Sequence, residues 1–474
     1  MTETQPQRLS TPAAPSWADF EPLLPAERLV LRAAASGEIA RIGYRRPHAP
    51  APELQVRAAF LAFLARGAGK KERLAGGDLQ TMGAWIVGRL DLAAAALPMS
   101  LWFYRCSFTA VPVFDGAHVR GSLTFSDCAL PGLRAEDARV DRDLAITAGC
   151  NVEGAVRLAH TAVGGDLNCE RLRLGSGSPA PTTPRRMFVA DGMRIAGNAN
   201  LRGGVEAVGE VRFVAAQIGG DLQAGGAHLT ADIDSAGMRG VAFNLDRARV
   251  GGTVALDCGF SAAGTVRMRQ VRIHGDLDCS GAALDAVGDA SWGACGSALR
   301  LDRARIGGAL VLQRLQAPLQ GASLADARAG TLTDDAGSWG RQHVLDGFAY
   351  KRFGPGAPTD ASSRLDWLLR QDSAHLALDH RPDPWRRVVR VLRRMGHGPS
   401  AAHVAIGRER HLRRIGHVGR GAPRPLRWLA RLAHDAWGLA AGYGHRPARL
   451  LGIAAAVCLL GAAGWWAAER SVFF

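Results

Sequence analysis

The sequence predicts a mainly β protein, a parallel β-helix built by stacking a short repeated coil, with helical segments before and after it. Three observations predict this class. The phrase "ARIGGALVL" (residues 304–312) returns as "ARVGGTVAL" (248–256) and "AQIGGDLQA" (216–224). Within each phrase apolar and polar residues alternate, which is the period of a strand with one buried face. The composition joins 47% hydrophobic residues to only 6% aromatic ones, with 58 glycines. That balance suits a thin interior of small side chains rather than a wide globular core.

The repeat is counted from the first Ile or Val of each phrase: Ile86, Val119, Val140, Val163, Ile195, Ile218, Val250, Ile273 and Ile306. Successive steps are 33, 21, 23, 32, 23, 32, 23 and 33 residues, so short and long units alternate from Val140 onward. A fixed recurrence of this kind marks a solenoid. Two residues after the anchor stands a glycine column that includes Gly165, Gly220, Gly252, Gly275 and Gly308, a place where backbones bend or come close. Four after it stands an apolar column that includes Leu167, Leu222, Leu277 and Leu310. Between them lies a polar column with Asp143, Asp166, Asp221 and Asp276, read as a solvated face, although stacked carboxylates can also bind a cation. One strand cannot bury its inner face alone, but nine coils at about 4.8 Å can, over roughly 40 Å. The predicted span is 81–345, with turn-rich insertions at 175–186 and 285–297 looping out of the long units.

Residues 1–80 read as a helical cap. "PAERLVLRAAASG" and "PELQVRAAFLAFLARG" each begin on Pro and stop on Gly, the usual helix asymmetry. Val56, Phe60, Phe63 and Leu64 make a helical stripe in the second. The aromatic segment 339–353 is expected to close the far end, and 353–363 reads as a linker. Residues 346–448 then form a basic helical module. It includes a helix with Trp385, Val388, Val389, Leu392 and Met395 on one face, and another capped by Ser400.

The net charge is +15, and 18 Arg against 6 acidic residues between 364 and 449 place +12 of it near the C-terminus. Residues 450–468 carry no charge and span roughly 28 Å as a helix, enough for a bilayer core. The predicted transmembrane helix is 449–469. Arg446 and Arg449 precede its uncharged stretch 450–468, so the positive-inside rule puts the bulk of the chain in the cytoplasm. No signal peptide is read in the first 25 residues. Just before the span, an amphipathic segment sets Leu426, Leu429, Leu432 and Trp437 against Arg424, Arg427 and Arg431. Arg424, Arg427, Arg431, Arg446 and Arg449 are the candidate contacts to anionic lipid headgroups.

No catalytic constellation emerges. The glycines recur between strands with no helix following, unlike a dinucleotide loop. The eight cysteines form no CxxC pair; a cytoplasmic location predicts free thiols, and Cys169 and Cys279 share one inward column. No histidine lies in an HExxH pattern. No cofactor and no metal is expected.

The phrases "ARIGGALVL", "IHGDLDCSGAAL" and "GTVRMRQVRIHGDL", followed by "LDGFAYKRF", "RLDWLLRQ" and "GYGHRPARLL", resemble a group of bacterial β-helical repeat proteins commonly labelled membrane-associated oxidoreductase, or pentapeptide-repeat-like. The resemblance covers most of the chain from about Pro22. It implies a right-handed β-helix, a helical module and one membrane helix in the inner membrane. It carries an oxidoreductase label but no active-site motif. The expected function is a non-catalytic, membrane-tethered scaffold that presents the β-helix to an unknown protein partner. The alternatives are a redox enzyme and nucleic-acid binding through the Arg-rich module. An exposed end edge would also permit homo-oligomers.

Overall fold

A computed structural model describes residues 15–67, 77–175, 185–233, 239–285, 297–377, 380–420, 423–445 and 448–471. The chain divides into two compact units, 1–264 and 265–474.

In the first unit the alternating pattern becomes short parallel strands in three sheets. His118–Val119 and Leu123–Ser126 lie in the first sheet, Ala129–Leu130 in the second and Leu133–Arg134 in the third. The next circuit repeats the order with Arg139–Val140, Leu144–Thr147, Asn151–Val152 and Val156–Arg157, each paired in parallel with its counterpart. We call one such circuit a rung. The turn before the anchor strand is left-handed at a non-glycine residue in rung after rung: Asp137 (φ 54°), His160 (φ 58°), Ala215 (φ 57°) and Arg247 (φ 60°). Neighbouring rungs hold these uncommon conformations in place.

The buried columns follow the sequence. Leu79, Leu101, Leu123, Leu144, Leu167, Ala199, Leu222 and Val254 are partners in register, each 1% exposed or less. In the second unit Leu277, Leu310, Leu332 and Phe353 form the equivalent column.

The Gly-Gly pair and the Asp column are one device. A Cβ on the first glycine would strike the backbone of the preceding rung: Gly251 would meet the Gly219 carbonyl oxygen at 2.0 Å, and Gly307 that of His274 at 2.2 Å. A Cβ on the second would strike a side chain. Gly165, Gly220 and Gly252 face Asp143 Oδ1, Asn198 Oδ1 and Asp221 Oδ1 at 2.1, 2.2 and 1.9 Å, and Gly308 faces Asp276 Oδ1 at 1.9 Å. Those oxygens accept the backbone N–H of the residue after the glycine. Asp166 N donates to Asp143 at 2.9 Å, Asp221 N to Asn198 at 2.9 Å, Thr253 N to Asp221 at 2.8 Å and Ala309 N to Asp276 at 2.6 Å. The polar column is therefore solvent-facing, and it also ties each rung to the next.

The register corrects several expectations. Ile86 is not in the anchor column. It pairs with Val56 and Phe108 in the second sheet, whereas Leu97 is the residue opposite Val119. The alternation of "WIVGRLDL" fits this strand as well as the anchor strand, because a period of two cannot tell which sheet a strand joins. The column also runs past Ile306 to Ala329 and Tyr350. The long units are single rungs: Val163 pairs with Ile195 and Ile273 with Ile306. Their insertions fall mostly outside the described residues.

Strands also enter both predicted helical segments. Ile39–Arg41 pairs with Leu79–Met82, Gln55–Arg57 with Trp85–Val87, and Ala349–Phe353 with Arg328–Asp334. α1 spans Pro25–Ser36, with Pro25 at its first position and Gly37 left-handed beyond its end. α2 is confined to Ala58–Ala65, so Val56 packs as a strand residue. The pairing with Trp85–Val87 satisfies backbone groups there that a helix would otherwise use.

In the second unit a buried ion pair fixes the last strands to the helices. Arg364, in α3 (Ala361–Leu369), makes two 2.8 Å bonds to Asp334, which also accepts the Trp339 ring N–H at 2.8 Å. The guanidinium lies 3.8 Å from the Phe353 ring centroid. α4 (Ser373–Leu376) and α5 (Asp383–Arg394) follow; α5 buries Trp385, Val388, Val391 and Leu392, with Val391 in the place expected for Val389. α6 spans Gly398–Arg414, three residues earlier than a Ser400 cap requires, because Pro399 already suits the first turn.

His343 beside Trp339 is fully buried, and burial pushes its pKa down to about 4. The folded state excludes a proton that the unfolded chain takes up near pH 6.5. Stability is thus complete above pH 6.5 and falls by about 1.4 kcal/mol per pH unit as pH drops toward 4. Denaturant titrations from pH 7 to 4.5 are expected to show this slope, reduced in His343→Gln. A second expectation concerns the glycine pair. Gly251→Ala should cost about 2 kcal/mol or more through backbone collision, and Gly252→Ala about 1 kcal/mol through one displaced bond. Asp221→Ala should be less harmful in the Gly252→Ala background than alone. Melting curves of the four variants test both statements.

Candidate membrane-facing site

The helices after α6 differ from the rest of the chain in how they treat apolar residues. α7 (Arg424–Ala441) is held to α6 by polar pairs: Arg413 grips Asp435 with Nε–Oδ1 3.1 Å and Nη2–Oδ2 3.0 Å, and His434 approaches Glu409 at 3.4 Å. Its large apolar side chains point elsewhere. Leu426, Trp428, Leu429, Leu432 and Trp437 are all about half exposed, and Leu439 is 78% exposed. A soluble helix would turn such a stripe inward.

α8 (Ala448–Ser471) continues the contrast. Its stretch Ala448–Trp466 has a mean hydropathy of 1.7, and none of it is buried. Among the described residues this is the one helix long and apolar enough to cross a membrane. Trp465 and Trp466 are exposed near its end, where amphipathic rings favour an interface.

The five expected lipid-contact arginines are placed unequally. Arg427 and Arg449 are exposed, and Arg431 is partly covered. Arg424 opens α7, but its side chain lies outside what is described, as does all of Arg446. The chain therefore brings Arg427 and Arg431 onto one helix with the exposed leucines, while Arg449 starts the next.

The cysteines give a pattern the sequence reading missed. Cys106, Cys128 and Cys150 precede successive strands of the second sheet. Cys128 N donates to Cys150 Sγ at 3.3 Å, and the Cys128 thiol to the Phe103 carbonyl at 3.2 Å. Their spacing of 22 residues was the available signal. Burial and the neighbouring Cys106 push the Cys128 thiol well up; the bond to Cys128 and burial raise Cys150; burial raises Cys169 and Cys279. These thiols stay protonated at neutral pH and are poor nucleophiles. Among the described residues no group of three or more His, Cys, Asp or Glu side chains is gathered to hold a metal ion.

The chain matches no protein-family profile, no curated protein and no solved structure.

Alkylation of the native protein followed by peptide mapping is expected to modify the exposed Cys258 quickly. Cys106, Cys128, Cys150, Cys169 and Cys279 should react only after denaturation.

Proposed function

We propose that the protein is a membrane-tethered scaffold or binding protein without catalytic activity of its own. In this reading the parallel strands wind as a right-handed parallel β-helix. α8 spans a bacterial inner membrane, and the bulk of the chain stands on the cytoplasmic side. α7 lies in the headgroup layer with its leucines and tryptophans toward the acyl chains and Arg427 and Arg431 toward anionic phosphates. The observation that carries the reading is the run of exposed apolar side chains on α7 and α8 beside these arginines. The resemblance to membrane-associated β-helical repeat proteins agrees with it. The strand faces and insertions supply the binding surface.

The test is fractionation of cells expressing the full chain and a variant lacking residues 450–468. The full chain should resist extraction by high salt and carbonate. The deletion variant should be released by carbonate, because only the apolar face of α7 and its basic headgroup contacts, the latter worth about 1 kcal/mol each, remain. Retention of the deletion variant after a carbonate wash would defeat the anchoring role of α8. Arg427→Glu with Arg431→Glu in the deletion background should weaken residual binding to vesicles containing phosphatidylglycerol.

A further inference from the structure

One outward face of the first unit is not explained by packing. Strands Leu101–Tyr104, Leu123–Ser126, Leu144–Thr147, Leu167–Asn168 and Ala199–Asn200 are consecutive neighbours in register. Their outward positions form a row, Trp102–Thr124–Ala145–Asn168–Asn200, beside a shorter row, Tyr104–Ser126–Thr147. Together with Asp143 and Asp166 these rows line a cavity of about 400 Å³, within the range of small-ligand sites. A second cavity of about 350 Å³ shares Tyr104 and Ser126 and adds Arg105 and Asp127.

We propose that this trough binds a carbohydrate chain, with a sugar ring lying on the aromatic wall of Trp102 and Tyr104. The assignment rests on reading the strand faces as a binding surface; it does not depend on the membrane tether.

The chemistry of the wall and floor selects the ligand class. The Trp102 and Tyr104 rings are nearly parallel, 16° apart with centroids 6.1 Å apart. They offer a flat apolar surface to the C–H face of a pyranose ring. The Trp102 ring N–H is buried without a hydrogen-bond partner. The floor is made of fixed amides. Asn168 Oδ1 accepts from Glu170 N at 3.0 Å, and Asn200 Oδ1 from Arg202 N at 3.0 Å. Those Asx turns set which end of each amide is the donor. Hydroxyls of Thr124, Ser126 and Thr147 add groups that both donate and accept. The Tyr104 hydroxyl is held protonated, because burial, aided by Asp78, raises its pKa.

Other ligand classes fit less well. The larger cavity is lined by two carboxylates and no cation among the described residues, which repels phosphates, nucleic acid and acidic lipid. An apolar ligand would strip water from rows of amides and hydroxyls and leave them unpaired. A peptide adding as a strand needs a free sheet edge, and this surface is a face. A hydroxyl-rich ring with one apolar side satisfies both the aromatic wall and the polar floor, and the carboxylates accept from its hydroxyls.

The experiment is calorimetric titration of the full-length protein in detergent with cellohexaose, chitohexaose and maltohexaose. At least one should bind. Trp102→Ala should weaken that binding roughly tenfold or more, and Trp102→Phe should retain most of it. Asn200→Ala should weaken it several-fold without touching the aromatic wall, with melting temperatures compared to confirm folding. The proposal is overturned if none of the three binds at millimolar concentration, or if binding is indifferent to both Trp102→Ala and Asn200→Ala. It is equally overturned if an Arg-rich peptide binds in a Trp102-dependent way and the oligosaccharides do not. Because the titration is done without a bilayer, its failure leaves the tether untouched, and failure of the tether leaves the groove untouched.

Discussion

The close approach of successive rungs is the constraint on which the strand region depends. Parallel strands in register sit about 4.8 Å apart, and at the Gly-Gly turn the backbone of one rung leaves no room for a Cβ on the next. Gly251 and Gly307 are required there because their neighbours are backbone carbonyl oxygens, which cannot rotate away. Gly252 and Gly308 are required because a carboxylate occupies the space. That carboxylate satisfies an N–H that the turn would otherwise leave without a partner. Steric vacancy and polar satisfaction are thus two sides of one arrangement, repeated at each rung that carries the pair.

With the interior and the turn set by this arrangement, the outward positions are free to vary. Thr253 and Ala309 stand in the polar column without a carboxylate, yet the strands around them persist, since the apolar columns remain complete. The row from Trp102 to Asn200 shows what that freedom permits: aromatic, hydroxyl and amide groups at register positions where packing makes no demand. A binding surface can therefore be written onto this scaffold without rebuilding it.

The C-terminal helices obey different physics. Asp334, Arg364 and Trp339 form a buried polar knot, where losing either charge would strand the other in a dry environment. α6 and α7 are joined through Arg413–Asp435 rather than through leucines. The apolar side chains of α7 and α8 are thereby left facing outward, the opposite of the strand region, where nearly every Leu and Val is covered.

The sequence by itself determined the parallel strands, the buried Leu167, Leu222, Leu277 and Leu310 columns, the helix at Pro25–Ser36 and the exposed apolar helix at the C-terminus. Each is written as a local period or a local run, and local patterns survive in any arrangement of the chain. Only the tertiary structure decided the rest. It moved Ile86 into the second sheet, because alternation alone carries no sheet address. It drew Gln55–Arg57 out of a helix by offering partners thirty residues away. Its left-handed corners at Asp137, His160 and Arg247 carry no glycine signal, since neighbouring rungs impose the conformation. It turned an Asp column that reads as solvated into a hydrogen-bond ladder, and it gathered Trp102, Asn168 and Asn200 into one trough. These side chains are far apart in sequence, and they meet only because the register brings every rung back to the same place.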